Sequence, residues 1–293
     1  MKALEYYTCI TGYSCNNACI FCTRPNDPNI PNVWGFIPDK TTEQLFEELT
    51  KARKSFNGII LTGGEPAIRK DFFEILQKCV ALDFKKISIQ TNARKFADRR
   101  FAEKTVKILG DRADFYVSFH SHRRELFNKL SGTKAYDSAL AGLKNLLSLS
   151  KQVRTNTVVM KPNYRELPEI ASFLCGLGVR ALEFMFVHPN GMAWVNRKQI
   201  VPRIEDTVSF VRKAVDVVGQ SGAKATITCF PLCALGDYRN RAPELFLPEF
   251  MIVKNPKART KGKECEKCKY YRNCWGLWTN YLKIFDFKFT PFL

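Results

Sequence analysis

Histidine is scarce in this chain, 3 of 293 residues, and the first is His120. A metal site near the N-terminus must therefore be built without imidazole. Long apolar runs are also missing: none reaches the roughly 20 residues a helix needs to cross a bilayer, so no membrane span is expected. The first residues, Met1-Lys2-Ala3-Leu4-Glu5-Tyr6, lack an apolar signal segment, and the expected location is the cytoplasm. No internal repeat and no low-complexity tract interrupts the chain. Acidic residues are under-represented, 28 Asp and Glu against 46 Lys and Arg, which leaves a net charge of +18. Three readings compete for that charge: a polyanionic partner such as RNA or DNA, a solvated lysine-rich surface, or a docking face for an acidic protein. Cysteine, by contrast, is plentiful, with 11 residues. In a chain expected in the cytosol, that number points to metal or redox chemistry and not to disulfides.

Three of those cysteines organise the sequence. Cys15-Asn16-Asn17-Ala18-Cys19-Ile20-Phe21-Cys22 places three thiols within eight residues. Thiolates select zinc, copper(I) or iron–sulfur clusters over hard ions. A structural zinc site wants four ligands; no His lies nearby, and Cys9, six residues before Cys15, falls in the first strand and reads as packing. Three cysteines on a four-iron cluster would leave one iron open to another ligand. The alternative is a zinc knuckle or a set of unrelated buried cysteines.

The spacing C-x3-C-x2-C, with the aromatic Phe21 before the last Cys, resembles the cluster loop of the radical S-adenosylmethionine (SAM) superfamily. The resemblance implies a [4Fe–4S] cluster whose open iron chelates the methionine moiety of SAM. It also implies reductive cleavage to a 5′-deoxyadenosyl radical that abstracts hydrogen from a substrate. The cofactor carries that chemistry and the protein positions it. No plain general base or nucleophile is visible, and hydrogen abstraction by a radical needs none.

The pattern after residue 5 alternates strand and helix. Strands read at 5–10, 58–61, 86–90, 114–119, 153–160 and 180–186, with helices at 41–55, 71–82, 98–109, 136–149, 164–176 and 205–219. Residues 23–38 hold Pro25, Pro28, Pro31 and Pro38 and read as a loop. Such alternation predicts a parallel sheet of right-handed units. It fits the α/β fold that the resemblance implies, a partial (β/α)6 barrel with its active site at the C-terminal strand ends. The expected domains are a core at 1–222 and a small cysteine-rich extension at 223–293, beginning with one more strand at 223–228.

Further candidate residues fall at strand ends. Gly63-Gly64-Glu65-Pro66 follows the second strand; paired glycines allow close backbone approach, and Pro66 pushes Glu65 toward an extended conformation. The resemblance assigns this motif to the SAM amino group. Asn92, Ser118 and His120 end the third and fourth strands, where ribose or carboxylate contacts are expected. Arg154 and Asn156 share one face of the fifth strand, and which of them points inward is left open. Met185 and His188 end the sixth strand, where packing against adenine is implied; a plain turn is the alternative for His188.

The extension carries Cys233, Cys265, Cys268 and Cys274, with Cys229 as an alternative ligand to Cys233. C-x2-C-x5-C after an upstream Cys resembles the twitch/SPASM extensions, which implies a second [4Fe–4S] cluster; zinc on the same thiols is the alternative. Trp275, Trp278, Tyr281 and Leu282 have helical spacing and read as packing. Cys9, Cys79 and Cys175 read as small buried hydrophobes. Lys254–Arg272 carries eight basic and two acidic residues, and Arg94, Lys95, Arg99 and Arg100 read as a solvated helix start. The implied partners are an electron donor of the flavodoxin or ferredoxin kind and a substrate that is a peptide or a small molecule. The charge keeps an RNA-modifying enzyme as the runner-up. A zinc-bearing RNA-binding module without catalysis is more remote, since an open three-cysteine loop gives it no benefit and no aromatic stacking signature appears.

Overall fold

The computed structural model describes residues 5–25, 27, 29–31, 38–246 and 258–293. Parts of the proline-rich stretch at 23–38 and the start of the basic segment, 254–257, lie outside the described residues.

Seven strands form one parallel sheet in sequential order: β1 (Tyr6–Ile10), β2 (Gly58–Thr62), β3 (Lys86–Thr91), β4 (Ala113–Ser118), β5 (Val153–Val159), β6 (Ala181–Phe186) and β7 (Lys224–Thr228). Sequential order with every neighbour parallel is the arrangement of a (β/α) barrel and not of a doubly wound sheet. No β7–β1 pairing is present among the described residues, so the barrel is partial. The strands are short and apolar on their outer face, where Ile59, Leu61, Ile87, Ile89, Phe115, Val117, Phe184 and Phe186 are buried. Burial on that face requires a helical outer layer, and each crossover supplies it.

The main covering helices are α1 (Thr42–Arg53), α2 (Phe72–Ala81), α3 (Arg99–Leu109), α4 (Arg124–Ser131), α5 (Tyr136–Leu149), α6 (Leu167–Gly176) and, after the one-turn helices α7 (Met192–Val195) and α8 (Arg197–Ile200), α9 (Ile204–Gln220). Side-chain caps fix the starts of α1 and α3. Thr41 caps α1 in a capping box with Gln44, and Asp98 accepts from the amides of Arg100 and Phe101 at the start of α3. Phe96 is fully buried against Phe72, Phe101 and Phe115, which pins the turn after β3. Each such ring contributes roughly 1.5–3 kcal/mol by burial. Cys9, Cys79 and Cys175 are buried in β1, α2 and α6.

β7 carries the sheet across the boundary expected at residue 222. It pairs with β6 from Ala181↔Lys224 to Met185↔Thr228. Ala225 and Ile227 are buried, while Thr228 donates to Glu183 Oε1 at 2.6 Å. The strand is thus apolar on one side and bonded to a barrel side chain on the other.

Beyond β7 the chain makes the one-turn α10 (Leu232–Leu235), and residues 258–293 form a small lobe with an antiparallel pair, β8 (Arg259–Thr260) and β9 (Leu277–Trp278). The run Trp275, Trp278, Tyr281 and Leu282, read as packing, has helical spacing but is not a helix. Gly276, at φ +72°, breaks the run, Trp278 lies in β9, and Tyr281 begins a single 3-10 turn. Packing is nevertheless the role of Tyr281: it is fully buried, and its hydroxyl accepts from the Ile204 amide at 3.0 Å. Asn280 Nδ2 donates to the Pro189 carbonyl at 3.0 Å. The lobe is therefore seated on the end of β6 and the start of α9.

Candidate active site

The strand ends surround a cavity of about 660 Å³. The loop after β1 forms one side of it and contributes Cys15, Cys19, Phe21 and Cys22. All three thiols are free. That loop is fastened at several points along its length. The Ala18 and Ile20 amides donate to Ser131 O and Leu130 O at 2.9 and 3.1 Å, which seats the loop on the end of α4. Gly132, at φ +66°, lies directly beneath: a Cβ there would stand 2.2 Å from the Ala18 carbonyl oxygen. On the other side, the Met192 amide donates to Cys22 O at 2.8 Å. Asn190 Nδ2 reaches Thr23 O and Asn196 Nδ2 reaches Ile20 O, at 3.0 and 2.8 Å.

Gly63 and Gly64 line the cavity, and their close approach is made to the chain itself. A Cβ on Gly64 would meet Ser14 O at 2.0 Å. The amides of Gly64 and Glu65 donate to Gly12 O and Ser14 O, both at 2.8 Å. The second strand end is thereby laid against the residues just before Cys15.

Glu65 is buried. Its carboxylate accepts from Thr91 Oγ1 at 2.7 Å, the Asn92 amide at 2.6 Å and the Ala67 amide at 3.2 Å. Burial pushes its pKa up to about 7, against the pull of those hydrogen bonds. The carboxylate thus ties the end of β3 to the end of β2. Asn92, so placed, donates through Nδ2 to Asn16 Oδ1 at 2.7 Å and lies 3.9 Å from Cys15 Sγ.

His120 is buried at the end of β4 and edge-on to Phe21, with ring centroids 4.8 Å apart. Its Nδ1 accepts from the Val158 amide at 3.2 Å, so its proton sits on Nε2. Desolvation lowers its pKa to about 3, and the ring is neutral. His188 is also lowered to about 3, by burial first and then by Arg259 and Arg24. Desolvation by the surrounding chain raises all three loop thiols, Cys15 to about 11 even though that residue is exposed at the cavity rim. The charge of each neighbouring thiol adds to the rise at Cys19. Soft donors held this way lose their protons to a bound metal and not to water.

Of the candidate residues, Cys15, Cys19, Phe21, Cys22, Gly63, Gly64, Glu65, Asn92, Ser118, His120, Met185 and His188 line the one cavity. Pro66 does not; it is buried and opens the 3-10 turn behind Glu65. Arg154 is also outside the lining: it pairs with Asp114 at 2.9 Å and stacks on Tyr116. Asn156 sits one layer below, with Nδ2 3.9 Å from Met185 Sδ and its buried Oδ1 without a hydrogen bond among the described residues. Sequence reasoning missed Thr8, Thr62, Gln90 and Val158 in the lining. Their alternation with buried outward residues on the strands is the signal that finds them. Arg24, two residues past Cys22, brings a guanidinium to the wall.

In the C-terminal lobe, the electrostatic neighbours of Cys233 include Cys274 and Cys265, and those of Cys265 include Cys268. Each of the four thiols thus lies within electrostatic reach of at least one other. Cys229 faces elsewhere: it is buried at φ +66° and accepts from Arg259 Nη2 at 3.1 Å, beside Glu183 and Glu244. Among the described residues, no three His, Cys, Asp or Glu form a set for a single ion. A cubane gives each thiolate its own iron, so its ligands need not meet at one point. The soft donors of the β1 loop fit such a group.

A family model described as the radical SAM superfamily matches residues 9–174. The chain belongs to that superfamily, whose members use a [4Fe–4S] cluster and SAM. Among curated proteins it is 30% identical over 194 residues to a "Probable GTP 3′,8-cyclase" of Saccharolobus islandicus, covering 65% of this chain and 59% of the relative. A protein of the same description from Sulfurisphaera tokodaii is 26% identical over 223 residues, covering 74% and 66%. The chain thus spans about six tenths of the first of these relatives. Among solved structures, Streptococcus suis SuiB bound to S-adenosylmethionine matches with a TM-score of 0.60 at 19% identity, over 77% of this chain and 50% of that one. The structure described as native anSMEcpe with bound AdoMet matches at 0.55 and 16% identity, over 93% and 88%. These two likenesses establish the fold.

Proposed function

We propose that this chain cleaves SAM reductively and abstracts a hydrogen atom from a small-molecule or peptide substrate. The observation that carries the reading is the convergence of Cys15, Cys19 and Cys22 with Gly63, Gly64 and His120 on one cavity at the strand ends. When bound, the cluster would supply one electron to the sulfonium of SAM, which breaks the C5′–S bond to give methionine and an adenosyl radical able to take a hydrogen atom. The three thiolates would hold three irons and leave the fourth for the amino and carboxylate groups of SAM. With the Gly64 and Glu65 amides donated to Gly12 O and Ser14 O, the turn at Gly63–Glu65 would offer backbone carbonyls to the methionine amino group, and Ser118, the Nε2–H of His120 and the apolar Met185 would line the nucleoside side. The His188 ring closes the wall on the side of the C-terminal lobe.

In this reading Cys233, Cys265, Cys268 and Cys274 hold a second [4Fe–4S] cluster in a twitch-like lobe, and Cys229 is not a ligand. The core then runs to the end of β7, with the auxiliary lobe behind it. An acidic flavodoxin- or ferredoxin-type donor would dock on the basic surface. Within the small-molecule class, the description of the curated relatives as GTP 3′,8-cyclases favours a purine nucleotide. A net charge of +18 suits a phosphorylated ligand and keeps an RNA substrate as the alternative.

The test is anaerobic incubation of reconstituted protein with SAM and dithionite, with GTP or a peptide added separately. The expected result is 5′-deoxyadenosine from the parent chain and none from Cys19→Ala. Equal yields from the two would sink the proposal.

A further inference from the structure

The basic run after β3 does not behave as one unit. Lys95, Arg99 and Arg100 are exposed, as a solvated helix start should be, but Arg94 is half-buried. Ala93, at φ +62°, makes the sharp turn that sends the next side chain back toward the β1 loop. Buried Phe96 anchors the 3-10 turn Arg94–Ala97. The guanidinium then donates through Nη1 to the Asn16 carbonyl and, at 2.9 Å, to Asn17 Oδ1. Its Nε reaches Ser138 Oγ at 3.3 Å. Thr133 Oγ1 donates to the same Asn17 Oδ1 at 3.2 Å, and Asn92 holds the Asn16 side chain.

One peptide plane joins Asn16 and Asn17. Its oxygen is taken by Arg94, and its N–H points the other way, toward Cys15 Sγ at 3.4 Å. We propose that Arg94 is a positioning residue for the cluster: it locks this peptide so that its N–H faces the Cys15 sulfur, and it sets a fixed positive charge beside the cluster loop. Both effects favour the reduced, more negative cluster. Hydrogen bonds to cluster sulfurs and nearby charge are established levers on reduction potential. A guanidinium suits the task, since Nη1 reaches a backbone oxygen and a side-chain oxygen together while Nε, in the same rigid plane, is held by Ser138 Oγ. This inference rests on the proposed reading of Cys15, Cys19 and Cys22 as cluster ligands.

The experiment is an EPR-monitored redox titration of the anaerobically reconstituted full chain, compared with Arg94→Gln and Arg94→Lys. Arg94→Gln should move the potential of the N-terminal cluster to more negative values. Arg94→Lys keeps the charge but loses the planar group that Ser138 holds through Nε, so a smaller shift in the same direction is expected. It should also lose iron to a chelator several-fold faster. If Arg94→Gln fails to hold a cluster, the Lys variant alone decides by those two readouts. Potentials and iron-loss rates that match the parent chain in every variant holding a cluster overturn the inference while leaving the proposed function intact. A parent chain that takes up no iron overturns both.

Discussion

The imidazole of His188 lies flat on the indole of Trp278, with ring centroids 3.6 Å apart and planes inclined by 13°. The Arg259 guanidinium covers the opposite indole face at 3.5 Å from its centroid. His188 lines the cavity, whereas Trp278 and Arg259 belong to the β8–β9 pair of the C-terminal lobe. The lobe is thus the backing of the cavity wall and not a remote appendage. With its pKa near 3, His188 is uncharged at neutral pH and does not repel Arg259 across the ring.

Trp278→Ala should therefore be felt in both places. Removing a buried Trp costs about 3–5 kcal/mol, and the freed His188 ring should weaken SAM binding. Trp278→Phe keeps a stacking face and should lose less of both. Denaturant unfolding and equilibrium SAM binding measure the two effects. A Trp278→Ala protein as stable as its parent would contradict this packing.

His120 gives a pH signature. Its folded pKa is about 3, below the roughly 6.5 of an exposed histidine. Between those values the unfolded chain binds a proton that the folded chain does not. Stability from this group is therefore complete above pH 6.5 and falls as the pH drops, by up to about 1.4 kcal/mol per pH unit. His188 acts with the same sign in the same window. His120→Gln should remove one of these two contributions. Urea unfolding between pH 6.5 and 5 should give a shallower decline than in the parent; parallel curves would count against a neutral, buried His120.

Gly132→Ala tests the seat of the β1 loop. The new Cβ would stand 2.2 Å from Ala18 O at a φ of +66°. Strain of this kind costs about 1–3 kcal/mol, and relief requires the loop to lift from α4. Lower stability and lower iron retention at the N-terminal site are expected together. Parent-like values of both would show that the loop does not depend on this contact.

The C-terminal cysteines are tested by counting metal. Two four-iron clusters predict roughly eight irons per chain. Cys274→Ser should reduce that to about four, and Cys229→Ser should leave it unchanged, since Cys229 is turned toward Arg259. Zinc in place of the second set of irons would contradict the auxiliary-cluster assignment.

Much of this architecture is written locally. Strands such as Gly58–Thr62 and Lys86–Thr91 are legible because their apolar residues must be covered by flanking helices. The strand-end residues are legible because parallel barrels place their sites there. Helix α4 was not: its eight residues are largely polar, and its value lies in the carbonyls of Leu130 and Ser131 that receive the β1 loop. Arg94 reads from sequence as one more surface cation, because its partners lie 77 and 78 positions away and follow no periodicity. The run from Trp275 to Leu282 has helical spacing, yet Gly276 at positive φ and the pairing of β9 with β8 override it. Pattern reports what one element needs locally; it carries no record of which distant backbone a side chain will meet.

In the proposed function, Cys15, Cys19 and Cys22 hold a four-iron cluster with one iron open to SAM. EPR of the dithionite-reduced full chain, with Cys274→Ser used to isolate the N-terminal site, tests it most directly. A reduced-cluster signal that changes on addition of SAM, and is absent when Cys19→Ala is also present, is expected. A signal indifferent to SAM, or one that survives Cys19→Ala, would contradict it.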